Sequence, residues 1–548
     1  MSTCFGWGNH PVVAKRLNLD ALIKRENTDT FASGPGTIGQ GGIPVSELAE
    51  GRTHFSLLRK PDFQRVTNDW DIDNVVTLIK SFRDGRLIPA LILWKSDAGY
   101  SFVVDGAHRL SALIAWVNDD YGSGAISHKF FDGNIPKQQS EYAKECRDLV
   151  ALQIGTYAEL SKILSHDNPT PERIKWVSNI SEPLPAQWVK GDAETAEKSF
   201  LAINQRAVEI NDTEKYMIIS RRKPNVLAAR ALIRAATGHE YVSKLDKNVK
   251  DAIAKQAIDI YGILFEPESA EVSRSIDLPV AGKPYTADAL RITLELINST
   301  NDIVGAKAID ELADDNDGSK TIRFLEKTHG VVKYIAGSGN SSLGLHPSVY
   351  FWGSGGKHHP SAFLAVVSFV KKLNLTNKLI EFCQHRAMFE EFIVINHSII
   401  RHILGKFGGW TKSVPTVIAM YEIIFHGLSS GNTFETIRSQ IVKDKRFSGL
   451  EELIELSGAP NRKISRETSV TVRRREMLKT SLRCSICHAR LPSTAISDDH
   501  KTRAQDGGRG TEENVQLTHP YCNHGFKEYL VSHGLPMPSA PVFPAIDG

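Results

Sequence analysis

No stretch of this sequence stays apolar for long. The longest uninterrupted runs are short, Phe363 to Val367 among them, whereas a bilayer-spanning helix needs roughly 18–20 such residues. A membrane protein is not expected. The first residues, MSTCFGWGNHPVV, lack the charged start and apolar core of a secretory signal, so a cytoplasmic location is expected. An excess of one charge sign is also missing: 66 Lys and Arg face 63 Asp and Glu, a net charge of +3. Any contact with nucleic acid must therefore be made by local patches. Cysteine is scarce, six in 548 residues, which excludes a disulfide scaffold. The 41% apolar and 24% charged residues are ordinary globular values and exclude a disordered chain. The length predicts about two to four domains, and no repeat of fixed period occurs.

What is present is concentrated at the C-terminus. Cys4, Cys146 and Cys383 are scattered singly and read as reduced thiols, but Cys484, Cys487 and Cys522 cluster. Without an export signal, clustered cysteines point to a metal. Cys484 and Cys487 form one pair separated by two residues, and His519 and Cys522 another. That is the spacing of a closed tetrahedral zinc site, in which four protein ligands leave no open position. A unit of about 50 residues buries little core, so such a Zn²⁺ would be structural. His488 and His524 fall off this spacing.

A second set of residues carries chemistry. Asp499 and His500 end a predicted strand, and Asn523 begins a predicted helix. A carboxylate and an amide oxygen suit a hard cation, Mg²⁺ or Mn²⁺, with positions left for phosphate and water. An imidazole beside it can deprotonate the water for attack on phosphorus. Asn514 is placed to orient the His500 ring from the opposite strand. Asp498 adds a carboxylate beside Asp499, either supporting or solvated.

The order Asp-His…Asn…Asn within paired knuckles resembles the HNH (ββα-metal) endonuclease family, over about Arg483 to Tyr529. The resemblance implies His500 as general base, Asp499 and Asn523 as metal ligands, and Asn514 as the residue orienting the base. One departure is His519, where many members carry a fourth cysteine.

The N-terminal region holds a second signal. Pro61-Asp62-Phe63-Gln64-Arg65 and Trp70 precede a helix that Asp71 or Asp73 can cap, with Val75, Leu78, Ile79 and Phe82 on its apolar face. Strand-like runs follow at Ala90–Trp94 and Ser101–Val104. The second enters Asp105-Gly106 and a helix with Leu110, Leu113, Ile114 and Val117 on one face. Gly106 permits a tight turn, and the free N–H groups of the next helix favour a phosphate. Arg65, Arg109 and His108 could reach the same ligand, and Asp105 could hold a metal, a ribose or the arginines. The plainer alternative is an Asp105–Arg109 ion pair that stabilises the turn without a ligand.

These residues, with Phe200-Leu-Ala-Ile203-Asn204-Gln205, resemble the ParB/sulfiredoxin-like superfamily over roughly 55–215. The nearest branch, with an Asp-Gly-Gln-Gln-Arg motif, includes GmrSD-type modification-dependent restriction enzymes and SspE-type defence nucleases. The resemblance implies a nucleoside triphosphate bound by Gln64, Arg65, Asp105, Gly106, His108, Arg109 and Asn204. Here Ala107 and His108 replace the two glutamines, which leaves binding in place and puts hydrolysis in doubt.

The expected organisation is an extension over 1–50, the sensor domain over 51–215, a helical domain over 216–460, a basic linker over 461–482, the HNH domain over 483–532 and a Pro-rich tail over 533–548. The fold class is multidomain α+β: a ParB/sulfiredoxin-like α/β domain, a largely α-helical middle and a small zinc-stabilised ββα-metal domain. Between Arg462 and Arg483 eight basic residues oppose only Glu467 and Glu476. Arg473, Arg474, Arg475 and Lys479, with Lys527, are expected to contact DNA phosphates. The aromatic, His-rich segment Leu345–Trp352 with His358 and His359 could line a groove that stacks on bases, or pack as a buried edge. The expected function is a metal-dependent, NTP-regulated DNA endonuclease of restriction or antiphage defence, free to self-associate. The alternative is a ParB-like NTP-binding or NTPase regulator whose zinc unit holds DNA without cutting it.

Overall fold

The computed structural model describes residues 15–26, 28, 41–61, 70–131, 133, 135, 137–163, 168–207, 212–235, 245–266, 276–284, 286–353, 355–406, 412–447, 450, 464 and 466–543. The chain divides into two compact units, Met1–Arg222 with Thr237–Leu245, and Lys223–Ala236 with Asp246–Gly548.

The first unit is mixed α/β. Its strands are β1 (Arg25–Glu26), β2 (Leu58–Pro61), β3 (Leu91–Lys95), β4 (Ser101–Asp105) and β5 (Ala186–Val189). They form one sheet in the order β1-β2-β4-β3-β5. All neighbours pair parallel except β3 and β4, which form an antiparallel hairpin. The apolar runs in β3 and β4 are continuous because both faces of the sheet are covered. Leu91, Leu93 and Val103 enter a large core on one face. Trp94, Phe102 and Val104 enter a smaller one on the other. The two strands fall where the sequence places them. β5 lies in a region expected to be helical: four residues are too short to show a period of two, and pairing with β3 decides them.

The helix Ile72–Arg83 starts where expected. The Asp71 carboxylate accepts from the Asn74 N–H at 2.9 Å, and Val75, Ile79 and Phe82 are buried. Helix Ala107–Asn118 buries Leu110, Leu113 and Ile114 in the same core.

The second unit is helical up to its end. Its longer helices include Lys247–Phe265, Ser319–Ile335, Pro360–Leu375, Leu379–Ile395 and Val414–Ser429. The basic segment, expected as a linker or a helix leading into the last unit, is helical over Arg466–Lys479. A small ββα module closes the unit: β6 (Ser497–His500) and β7 (Val515–Thr518) pair antiparallel. A π-helical turn, Cys522–Phe526, then leads into helix Lys527–Ser532. Among the described residues no helix is long and apolar enough to cross a membrane.

The module is anchored to helix Leu379–Ile395 by buried charge. The Arg490 backbone N–H donates to Glu390 Oε2 at 2.9 Å, and Arg490 Nη2 pairs with Glu391 at 2.9 Å. Arg386 Nε donates to Glu390 Oε1 at 2.9 Å, with both side chains fully buried. Arg386 also donates to the carbonyls of Leu343 and Gly344. Burial alone would push the Glu390 carboxyl up, but Arg386 and Arg490 hold it below its usual value. Such a network tolerates the loss of a partner poorly, because the remaining charge is left uncompensated.

Candidate active site and metal centre

The first centre is made by short loops. Cys484, Cys487, His519 and Cys522 are all buried, and their ligand atoms lie within 4.8 Å of one another. His519 Nδ1 stands 3.4 Å from the Cys487 sulfur and 3.8 Å from that of Cys522. Its Nε2 donates to the Arg490 carbonyl at 3.0 Å, which fixes the ring with Nδ1 facing the sulfurs. Three sulfurs and one imidazole nitrogen suit a metal ion such as zinc. Cys383, read as an isolated thiol, lies within hydrogen-bonding range of Cys522. Their separation in sequence gave no sign of this. His488 sits outside the cluster, its Nε2 3.0 Å from the Pro538 carbonyl.

The second centre lies on β6 and the turn after β7. Side chains alternate along an extended strand, and β6 follows this rule: Asp499 is buried, while Asp498 is exposed and His500 half-buried. Asp499 turns inward, where both carboxylate oxygens meet Lys527 Nζ at 2.8 Å and Oδ2 accepts from Gln516 at 2.7 Å. Lys527 also reaches the His500 carbonyl. Asn523 is held by its amide nitrogen, which donates to Ser497 Oγ and the Asp498 carbonyl, each at 3.0 Å. Its Oδ1 takes no hydrogen bond among the described contacts. The His500 ring lies beside Gly510 and likewise makes none.

Asn514 does not orient that ring directly. Its Oδ1 accepts from the Thr502 N–H at 2.8 Å, and its Nδ2 donates to the carbonyls of Thr502 at 3.1 Å and Arg509 at 2.8 Å. Asn514 therefore clamps the loop that follows His500. Gly508 lets the loop close, since a Cβ there would strike the Thr502 carbonyl.

A hard divalent cation would meet two kinds of oxygen donor here, the Asn523 Oδ1 and the Asp499 carboxylate. They fit such an ion in chemistry, with Lys527 as a competitor for the carboxylate. Spacing alone could not reveal Lys527 and Gln516 as Asp499 partners, because the contacts depend on how the last helix packs.

Two expected DNA contacts are corrected by burial. Lys527 is 4% exposed and committed to Asp499. Arg474 is 3% exposed, and its guanidinium donates to the carbonyls of Gly353, Ser348 and Trp352 at 2.8, 2.9 and 3.3 Å. On helix Arg466–Lys479 every third or fourth residue faces the protein, and Arg474 is one of these. Arg473 and Lys479 are exposed and Arg475 half-buried. Glu476 pairs with Arg475 at 3.4 Å and Lys479 at 3.0 Å. The segment Leu345–Trp352 packs as a buried edge: Phe351 is fully buried, and Tyr350 and Trp352 nearly so.

In the first unit β4 ends at Asp105, and Gly106 turns the chain into the next helix with φ 91°. A Cβ there would crowd the ends of the Leu91 and Arg109 side chains, at 2.7 and 2.9 Å, and the left-handed φ strains any side chain, so glycine is favoured. Arg109 Nη2 donates to Asp105 Oδ2 at 2.8 Å: the ion pair that the sequence allows is formed. The His108 ring sits 5.7 Å from that of Trp70. Gln64 and Arg65 lie outside the described residues, as does the side chain of Asn204.

Residues 45–219 match the family model of the GmrSD restriction endonuclease N-terminal domain. The GmrSD-like segment contains β2 to β5 and the Asp105–Arg109 turn, and it ends before the second unit begins. The C-terminal module has no such match. No curated protein and no solved structure matches the chain.

Proposed function

We propose that this protein is a divalent-metal-dependent DNA endonuclease of restriction or antiphage defence, with the ββα module as its cutting centre. The GmrSD-like domain would regulate it through a bound nucleoside triphosphate. The observation that supports the chemistry is that β6 carries a buried carboxylate (Asp499) beside an imidazole that makes no hydrogen bond among the described contacts (His500), while the Asn523 amide nitrogen is hydrogen-bonded to the same strand. The family match at residues 45–219 supports the defence setting.

In this reading His500 takes a proton from a water molecule. The water oxygen forms a bond to phosphorus as the bond from phosphorus to the leaving sugar oxygen breaks. The His500 ring is half-buried, so the proton can pass on to solvent. Asp499 and Asn523 would hold a Mg²⁺ or Mn²⁺ ion, which when bound supplies neutralisation of charge on the phosphate and leaving oxygen. Asn514 keeps the loop after His500 closed. A zinc ion on Cys484, Cys487, His519 and Cys522 would hold the turn that carries Asn523. Arg473, Arg475 and Lys479 would meet phosphates. In the first unit the triphosphate would lie over Gly106 and the start of the next helix, with His108 and Arg109 beside it and Gln64, Arg65 and Asn204 completing the set.

One observation favours a second reading, a regulator that binds DNA without cutting. Both Asp499 oxygens are already neutralised by Lys527. A cleavage assay on modified and unmodified phage DNA separates the two. With Mg²⁺ or Mn²⁺, with and without NTP, the wild type should yield nicked or cut product and His500→Ala should not. Product formed equally by His500→Ala would overturn the assignment. DNA binding without product under every divalent ion would establish the regulator.

A further inference from the structure

The chain from Lys501 to Asn514 joins β6 to β7 and lies along the edge of the His500 ring. Two glycines set its path. Gly508 closes on the Thr502 carbonyl, and Gly510 passes the ring, where a Cβ would stand 3.9 Å from His500 Nε2. Arg509 lies between the two. Its carbonyl accepts from Asn514 Nδ2 at 2.8 Å and from the Thr511 N–H at 2.9 Å. The backbone of Arg509 is thus fixed beside the ring nitrogen that faces the loop.

This segment carries three cations, Lys501, Arg503 and Arg509, and two of them are committed. Lys501 Nζ donates to the Glu513 carbonyl at 2.7 Å. Arg503 pairs with Asp506 at 2.8 Å and with Glu528 at 3.2 Å. Lys527, close by on the last helix, is buried against Asp499. Arg509 differs from all three. Its side chain is exposed, and its guanidinium makes no hydrogen bond or ion pair among the described residues. A held backbone under an uncommitted guanidinium suits a contact with a ligand, because no internal bond is given up when the ligand arrives. Nothing in the described fold uses this side chain.

We infer that Arg509 grips the DNA phosphate that faces His500 and is a further catalytic residue of the module. This rests on the endonuclease reading given above. A water molecule activated by the His500 ring attacks a phosphorus lying beside that ring, and the loop delivers Arg509 to the same place. As the water oxygen bonds to phosphorus, negative charge grows on the non-bridging oxygens. The planar guanidinium presents paired N–H donors to those oxygens, a geometry that a lysine ammonium cannot reproduce. Donors already positioned where charge develops stabilise the transition state more than the bound substrate. The fixed backbone leaves only the side chain to be ordered on binding.

The test uses the full chain. Single-turnover cleavage of phage DNA with Mn²⁺ is measured for the wild type, Arg509→Gln, Arg509→Lys and Lys501→Gln. DNA binding is titrated against salt in the His500→Ala background, with and without Arg509→Gln. At saturating DNA, Arg509→Gln should slow cleavage by about 10²–10³-fold, the cost of one lost donor to a developing oxyanion. It should also weaken binding and flatten its salt dependence by about one unit. Arg509→Lys should recover the salt dependence but only part of the rate, and Lys501→Gln should cut like the wild type. Zinc content and unfolding midpoint should be unchanged in Arg509→Gln, because the side chain holds nothing in the fold. Cleavage by Arg509→Gln at the wild-type rate would overturn the inference and leave the endonuclease reading standing. Weaker binding with an unchanged rate at saturation would also overturn it, since Arg509 would then only anchor the duplex. If the wild type cuts with no divalent ion, the endonuclease reading fails and with it the catalytic role of Arg509. The salt titration would then show whether Arg509 meets a phosphate at all.

Discussion

Lys527 Nζ stands 2.8 Å from both carboxylate oxygens of Asp499, and each side chain is only 5% exposed. The strand residue expected to hold a metal is held by an ammonium from the last helix. A divalent cation at Asp499 would have to compete with Lys527 for the carboxylate.

Lys527→Met therefore leaves Asp499 buried and uncompensated. Breaking a buried pair in this way costs about 3–5 kcal/mol. Mn²⁺ or Mg²⁺ should restore part of that loss, so thermal unfolding of the variant should shift upward with added metal more than that of the wild type. Equal shifts in both proteins would show that Asp499 does not take the metal.

Arg473 and Arg474 are neighbours in sequence with opposite surroundings. Arg474→Ala strands three buried carbonyls and should lower stability by about 2–4 kcal/mol. Arg473→Ala should leave the unfolding midpoint within about 0.5 kcal/mol, while weakening DNA binding and flattening its salt dependence by about one unit. Denaturant unfolding and salt titrations of binding measure both. If Arg474→Ala were as stable as the wild type, its backbone contacts would contribute nothing.

Removing the metal should reach beyond the module. Cys487→Ser or a strong chelator should abolish the bound zinc, counted as one per chain by elemental analysis. Hydrogen exchange should then rise in helix Leu379–Ile395, because Arg490, whose guanidinium pairs with Glu391 and whose backbone N–H donates to Glu390, sits on the loop that the cluster ties down. Structural zinc contributes about 10–16 kcal/mol of apparent binding energy in isolated fingers. Unchanged exchange in that helix would show that the anchoring network stands without the ion.

Acid should destabilise the second unit. Burial pushes His346 down to about 4, His358 to about 3 and His359 to about 4, from the usual 6.5. The folded state keeps these rings neutral, whereas the unfolded chain protonates them below about pH 6.5. The unfolded state then binds more protons, so stability is full above pH 6.5 and falls as the pH drops, by up to about 1.4 kcal/mol per unit for each ring. Urea midpoints at pH 7.5, 6.5 and 5.5 should decline, and His358→Gln should reduce the slope. A midpoint that rises on acidification would contradict the burial of these rings.

Much of this was legible in the chain. The Cys484-x-x-Cys487 and His519-x-x-Cys522 pairs mark their cluster because ligand spacing is a local property of two tight turns. The runs of β3 and β4 and the faces of helices Ile72–Arg83 and Ala107–Asn118 are legible for the same reason, since each period is carried within a dozen residues. Spacing does not show which way a charged side chain turns. Arg474 and Lys527 look like surface cations until helix packing buries them, and Asn514 looks like a partner of His500 until the loop closes on it.

The donor atoms, their order and the local elements that bear them follow from residue order alone. Which charges are neutralised depends on packing: Asp499 meets Lys527 across 28 residues, Glu391 meets Arg490 across 99, and Arg474 meets no acid among the described residues. Electrostatic pairing depends on separation through space and on exclusion of water, and neither is a property of residues read in order.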